Sequence, residues 1–384
     1  MKEKKILIIG GGIGGLMTAI ALNQKGIASS IFEKTKSPDA NGAGLALWAN
    51  ATRILDTYGL FNNLLEKGNV LHEMKTSTSH GRHLNVVRLD KLEGKFHFPS
   101  IVLLRQHLQR ELLNAIPASQ IQFNKQCVKI EHQTGKVTVH FSDGTSEAAD
   151  AAIFADGIHS LARKSVFNIP PLNYAGRTSW RGVAEFSSTV FSKNTNLEIF
   201  GNGRRIGIFP LPNNLAYWYA AVNITKEEST QQKRTIECVS SYFKDWAEPV
   251  PTLFKNTSEE RLILTNINYT THIHHLVTDN IALLGDAAHP MTPDLGQGAC
   301  QAIEDAYIMA ECLSATQSIE SGLKRYETIR LPRVRSIAKN SYRMGKLRQM
   351  GNPVGTGFRN SLFRFLPEYF ALKMLERNIL VQDQ

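Results

Sequence analysis

The chain has little cysteine: Cys127, Cys238, Cys300 and Cys312 are scattered through 384 residues, and no two form a C-x-x-C pair. That spacing argues against a disulfide framework, a zinc site and a redox-active dithiol, so no metal is expected and a reduced, cytoplasmic setting is the natural reading. Long apolar runs are also missing, and none reaches the ~18 residues that a membrane span requires. The start, Met1-Lys2-Glu3-Lys4-Lys5 followed by apolar residues, has the outline of a secretory leader. Glycines break that stretch, however, and no small-residue cleavage site follows, so no leader is expected. There is no internal repeat, low-complexity tract or nucleic-acid module, and no nucleic-acid partner is expected.

What the chain does have is a glycine-rich segment near each end. The first, Gly10-Gly11-Gly12-Ile13-Gly14-Gly15, follows the apolar run Ile6-Leu7-Ile8-Ile9, which suits a strand buried on both faces. After it, Leu16 to Leu22 reads as a helix closed by Gly26. Gly10 permits a tight turn, Gly12 lets the backbone approach a pyrophosphate, and Gly15 allows close helix–strand packing, so phosphates would meet the helix N-terminal amides with Ile13 and Gly14 beside them. The next strand, Ser29 to Glu33, ends in a carboxylate able to accept both hydroxyls of an adenosine ribose, with Lys34 adjacent. The second segment runs from Gly285-Asp286-Ala287-Ala288-His289-Pro290 to Gly296-Gln297-Gly298. In this order the two segments imply that both ends of the chain converge on one extended dinucleotide, which points to FAD.

The organisation reads as α/β: a Rossmann-like βαβ FAD-binding domain interleaved with a mostly antiparallel sheet, then C-terminal helices. Residues 1–173 and 267–330 are expected to form the first domain, with small inserted strands, 174–266 the substrate-binding sheet, and 331–384 a helical segment. Arg105 to Ala115 reads as an amphipathic helix, Val137 to Phe141 with Ser142-Asp143-Gly144 as a hairpin, and Ala151 to Ala155 as a short strand ending at Asp156-Gly157. Alternating aromatic segments such as Tyr217-Trp218-Tyr219 mark the inserted sheet, and Ile281 to Leu284 returns as a buried strand.

Gly10-x-Gly12-x-x-Gly15, then Ala155-Asp156-Gly157-Ile158-His159-Ser160 with Arg163, then Gly285-Asp286-Ala287-Ala288-His289-Pro290 through Gly298 and Glu304-Asp305-Ala306, resemble the three fingerprints of class A flavoprotein monooxygenases, the para-hydroxybenzoate hydroxylase family. The resemblance covers roughly residues 1–335. It implies that Glu33 holds the adenosine ribose, Arg105 contacts the ribityl-phosphate region, Asp286 accepts a ribityl hydroxyl, and Asp156 and Gly157 serve FAD and the nicotinamide cofactor. It further implies that Gly296, Gln297 and Gly298 open a helix toward flavin N1, that Pro290 and Pro293 wall the ring, and that Gly42-Ala43-Gly44-Leu45 lies against it. Blander readings stay open: Arg105 as a solvated charge, Asp286 as a cap of the following turn, and His289 as a packing residue beside the prolines.

The implied activity is that of an FAD-dependent monooxygenase using NADPH or NADH and O2 to hydroxylate an aromatic or heteroaromatic small molecule through a flavin C4a-hydroperoxide. Alternatives are an epoxidase or double-bond reductase acting on an apolar polyene or quinone precursor, and a non-catalytic FAD-binding sensor or carrier. A missing second G-x-G-x-x-G disfavours disulfide oxidoreductases, and a missing W-x-W-x-I-P disfavours flavin halogenases. Arg205, Tyr217 and Asp294 are similar to substrate-contacting positions of flavin-dependent urate hydroxylases; the competing reading makes them sheet-surface residues and a helix cap. Residues 322–384 hold thirteen Lys and Arg against four acids, so +9 of the formal +10 lies there. With Phe358, Phe363, Phe365 and Leu366 following, that segment suits a weak peripheral contact with a membrane as well as a solvated basic face. Either a monomer or a homodimer is compatible with the sequence.

Overall fold

The computed structural model describes residues 5–37, 43–133, 135–185 and 192–380. Gly42 of the expected flavin-facing segment lies outside the described residues. The strands of the two main sheets run, in chain order, β1 (Ile6–Ile9), β2 (Ser29–Phe32), β3 (Glu73–Thr78), β4 (His83–Arg88), β5 (Ile121–Gln122), β6 (Ala151–Phe154), β7 (Asn173–Glu185), β8 (Thr195–Phe200), β9 (Arg204–Leu211), β10 (Leu215–Asn223), β11 (Ile263–Tyr269), β12 (Val277–Thr278) and β13 (Ile281–Leu283).

The first sheet has the order β12–β13–β6–β1–β2–β5 and is parallel except at its β12 edge. Its central strands are buried along their whole length, as the uninterrupted apolar runs require. Helix α1 (Ile13–Gln24) follows β1 directly; it ends where Gly26 takes φ +68° and Ile27 N–H reaches back to the Leu22 carbonyl at 2.9 Å.

The second sheet, β11–β7–β10–β9–β8–β3–β4, is antiparallel apart from the β8–β3 pair. It takes in β3 and β4 from residues 73–88 as well as the 174–266 stretch. Strand alternation divides its residues between two faces. Trp180, Ile206, Ile208 and Trp218 pack with Phe243, Trp246 and Phe254 into a core of their own. Arg205, Phe209, Tyr217 and Tyr219 occupy the opposite face, where Tyr217 lies directly over Gly44 of the strand Gly44–Leu47.

Four helices complete the parts that position the site. These are α2 (Asp90–Phe96), α3 (Arg105–Asn114), α4 (Gly298–Ser314) and the 30-residue α5 (Ile319–Arg348). The last of these spans both sheets: Tyr326 donates to the Leu283 carbonyl behind the first sheet at 3.1 Å, and Gln349 at its end donates to the Ala221 carbonyl of the second at 2.9 Å. Two further helices, α6 (Pro353–Phe365) and α7 (Glu368–Ile379), close the described chain.

Candidate active site

A cavity of about 630 Å³ is walled by all three glycine-containing motifs. On one side β1 turns sharply into α1. Gly10 has φ +110°, and a Cβ there would lie 2.4 Å from the Ala155 carbonyl oxygen; a Cβ on Gly15 would lie 1.9 Å from the Gly10 carbonyl oxygen. Both are therefore glycine because neighbouring backbone leaves no room. Gly12 is different: it lines the cavity, and a Cβ there would meet no protein atom within 4 Å. Gly298, first residue of α4, is open in the same way. The N-termini of α1 and α4 thus present unpaired amides to one space from opposite ends of the sequence.

Glu33 closes the far end of that space. Its carboxylate accepts the Gly11 N–H at 2.5 Å and the Thr35 N–H at 2.9 Å, which fixes its orientation toward the cavity and leaves lone pairs unused. Asp156 lines the same cavity. Its Oδ2 accepts the Leu161 N–H at 2.9 Å, while its buried Oδ1 has no partner. Burial pushes this carboxyl up from its ordinary value, opposed by its bonds to Ser160 and the Leu161 amide. Arg163 ties this motif to the third by donating to the Asp286 and Ala287 carbonyls at 2.9 and 3.1 Å and to the Ile158 carbonyl. Asp286 makes no side-chain cap to its turn; its side chain is exposed in the cavity.

Behind this wall lies a buried polar network. Asp305 accepts from the Gly285 N–H at 2.9 Å, from His289 Nε2 at 2.6 Å and from Arg330 Nε at 2.6 Å. Arg330 and Arg333 also grip Glu304, which reaches Asn50 and Gln301, and both of these bond to the Gln297 side chain. Burial alone would raise the Asp305 and Glu304 carboxyls, but the adjacent Arg330 guanidinium holds both below their ordinary values. His289 is fully buried, with its Nε2 bonded to Asp305.

The two open glycines and the paired helix termini fit a dinucleotide with a pyrophosphate and an electron-accepting ring. A model of the FAD binding domain family matches residues 3–341. The chain belongs to the class A flavoprotein monooxygenases. It is 31% identical over 361 residues to "Aurachin C monooxygenase/isomerase" of Stigmatella aurantiaca, covering 94% of each chain. It is also 31% identical over 335 residues to a Klebsiella pneumoniae "FAD-dependent urate hydroxylase", covering 87% of each. Among solved structures, Klebsiella pneumoniae HpxO complexed with FAD and uric acid superposes with a TM-score of 0.91 at 28% identity, covering 98% of this chain and 97% of that one. The protein is accordingly an FAD-dependent monooxygenase, an oxidoreductase.

Of the residues singled out for the cofactor of this monooxygenase, Gly10, Gly12, Ile13, Gly14, Glu33, Lys34, Arg105, Asp156, Gly157, Gly285, Asp286 and Gly298 line the cavity together. Gly15 lies beneath it. Gly44 is pressed against Tyr217, whose ring would be 2.4 Å from a Cβ there, and is not part of this wall. Nor are Pro293, Gly296 and Gln297, which form the turn before α4; Gly296, at φ +64°, backs onto Trp48.

Arg205 and Asp294 meet, although neither lies on a surface or at a cap. Asp294 receives both terminal nitrogens of Arg177 at 2.9 Å and one of Arg205 at 2.9 Å, and all three side chains are buried. Burial would raise the Asp294 carboxyl; the two guanidiniums bring it down to about 2. Arg205 Nε and its other terminal nitrogen have no hydrogen-bond partner, and Glu198 Oε2, 3.9 Å from Nε, has none either. Tyr219 donates to Glu198 at 2.5 Å, with the Arg205 guanidinium 5.2 Å from its ring centre. Phe209 stacks on Tyr217 at 5.6 Å and lies 6.2 Å from Tyr219, making one aromatic stripe that ends in the Arg205 charge. Sequence reasoning missed Arg177 and Glu198; their only signal is strand alternation, which puts them on the same face as Arg205.

Proposed function

We propose that this protein hydroxylates a small aromatic or heteroaromatic ring, using NADPH or NADH as the electron donor and O2 as the oxygen donor. The balance is RH + O2 + NAD(P)H + H⁺ giving ROH + NAD(P)⁺ + H2O. The observation that carries the reading is the stripe Tyr217–Phe209–Tyr219–Arg205, which faces the strand Gly44–Leu47 of the FAD-binding half and terminates in buried polar atoms without partners. An aromatic ring can stack along such a stripe, while the free nitrogens of Arg205 and the free oxygen of Glu198 orient its polar substituents. The similarity to proteins named FAD-dependent urate hydroxylase and 3-amino-4-hydroxybenzoate 2-monooxygenase supports this substrate class.

When bound, FAD supplies the redox chemistry, taking electrons from the nicotinamide and activating O2. The chain's own groups would do the rest. Gly12 and the α1 N-terminus receive the pyrophosphate, Glu33 the ribose, and Asp286 a polyol hydroxyl. The α4 N-terminus, opened by Gly298, would favour negative charge on the part of the cofactor held beside it. Tyr217 and Arg205 hold the substrate carbon in place, and the buried aromatic surroundings keep water out. The experiment is a screen of FAD-loaded protein for ligand-stimulated NAD(P)H oxidation with urate and aminohydroxybenzoates, scored by hydroxylated product. Ligand binding without any rise in NAD(P)H consumption would overturn the proposal.

A further inference from the structure

Eight of the nine large apolar side chains exposed among the described residues fall between Val354 and Leu380. Their arrangement follows from how α6 and α7 are seated. The inner face of α6 is fixed by Arg359, which donates to the Gly201 and Arg348 carbonyls at 3.0 and 2.9 Å, and by Phe363, edge-on to Phe200 at 5.1 Å. Val354, Phe358 and Phe365 are consequently turned outward at helical spacing, with Val354 85%, Phe358 61% and Phe365 75% exposed. On α7 the outward residues are Tyr369, Phe370 and Met374.

The charges are sorted in the opposite sense. Glu368 and Glu376, the acids of these two helices, both turn to the body: Glu368 accepts the Arg88 N–H at 2.9 Å and pairs with Lys91 of α2 at 2.5 Å, and Glu376 pairs with Lys95. Arg364, Lys373 and Arg377 stay exposed with no carboxylate partner among the described residues. Arg364 lies 5.6 Å from the Phe365 ring centre and Lys373 5.7 Å from that of Tyr369. The outer face is thus aromatic and cationic at once.

We infer that α6 and α7 form a docking surface for an anionic lipid bilayer, lying in its interface. Apolar side chains of this kind enter the headgroup–acyl boundary, and the neighbouring cations meet lipid phosphates. No helix among the described residues is long and apolar enough to cross a membrane, so the contact is peripheral. A second copy of the chain is a poorer occupant, because a two-fold contact through this face would bring Arg364, Lys373 and Arg377 of one copy against the same residues of the other.

The test is co-sedimentation of the FAD-loaded full chain with phosphatidylcholine vesicles, with and without phosphatidylglycerol. Binding is expected only to the anionic vesicles and should weaken as salt is raised. Phe358→Ser with Phe365→Ser should lower the bound fraction roughly tenfold. FAD content and thermal midpoint should not change, because both side chains already face solvent. Arg364→Gln with Lys373→Gln should weaken binding at low salt without touching the apolar face. The inference is overturned by equal sedimentation on both vesicle types, by unchanged binding of the phenylalanine pair, or by light scattering that shows a dimer which that pair dissociates.

Discussion

Replacing Asp294 by Asn is the most informative single perturbation, because one carboxylate neutralises two buried guanidiniums. Arg177 is 4% and Arg205 1% exposed, and three 2.9 Å bonds join them to Asp294. Asn keeps the shape but offers a single acceptor oxygen, and its amide would face a guanidinium donor. Glu198, 3.9 Å from Arg205 Nε, is then the nearest remaining counter-charge to that arginine. Removing one partner of a buried ion pair costs about 3–5 kcal/mol. Depression of the carboxyl from 3.8 to about 2 gives a second figure of about 2 kcal/mol. Both predict a fall of several degrees in the thermal midpoint at neutral pH, followed by circular dichroism at saturating FAD. The sign with pH is fixed: a lowered folded-state value contributes stability that is complete above 3.8 and is lost as pH falls through about 2. The gap between wild type and variant should therefore stay constant from pH 7 to about 5 and narrow only in stronger acid. A midpoint within a degree of wild type at pH 7 would show that the two arginines are neutralised by other means.

Gly12→Val fills the open space in the cavity wall and should give colourless protein; full FAD occupancy in that variant would remove this loop from the cofactor site. Asp286→Ala should cost about 1.5–3 kcal/mol in FAD binding, read as a rise in Kd of roughly 10- to 150-fold on titrating apoprotein, and an unchanged Kd would leave Asp286 without a cofactor role. Arg205→Ala should retain FAD yet raise the hydrogen peroxide formed per nicotinamide consumed, because a poorly held substrate intercepts less activated oxygen; equal coupling and equal KM would remove Arg205 from the substrate site.

The cofactor half was legible because its signals are local. A buried strand, glycines at fixed spacing, a helix and an acid lie within one short stretch, and each has a backbone reason: Gly10 and Gly15 face crowded carbonyls, while Gly12 faces open space. Asp156 and Asp286 were readable for the same reason, each ending a short apolar strand. Gly44 shows the limit of that logic. It belongs to an ordinary strand and is glycine because the Tyr217 ring sits on it, a tertiary cause that no local pattern carries. The ion pairs of Asp294 were illegible in their geometry, since its partners lie 89 and 117 residues away and an isolated arginine in a strand looks like a surface charge.

The long α5 resolves what the motifs leave unexplained, namely how a cofactor wall and a substrate sheet drawn from distant segments keep their register. At one end Arg330 joins Asp305, and through it the Gly285 amide and His289; together with Arg333 it also holds Glu304, whose partners Asn50 and Gln301 grip Gln297 at the head of α4. At the other end Arg348 donates to the Asp294 carbonyl at 2.8 Å, and Gln349 donates to the Gly203 and Ala221 carbonyls beside Arg205. A rigid helix bonded to both parts fixes the distance between the cavity that fits FAD and the Arg205–Tyr217 stripe without either touching the other. The basic residues of residues 322–348 are therefore of two kinds. Arg330, Arg333 and Arg348 are internal fasteners whose partners are buried, whereas Lys339 and Arg343 face outward, as do Arg364, Lys373 and Arg377 beyond them.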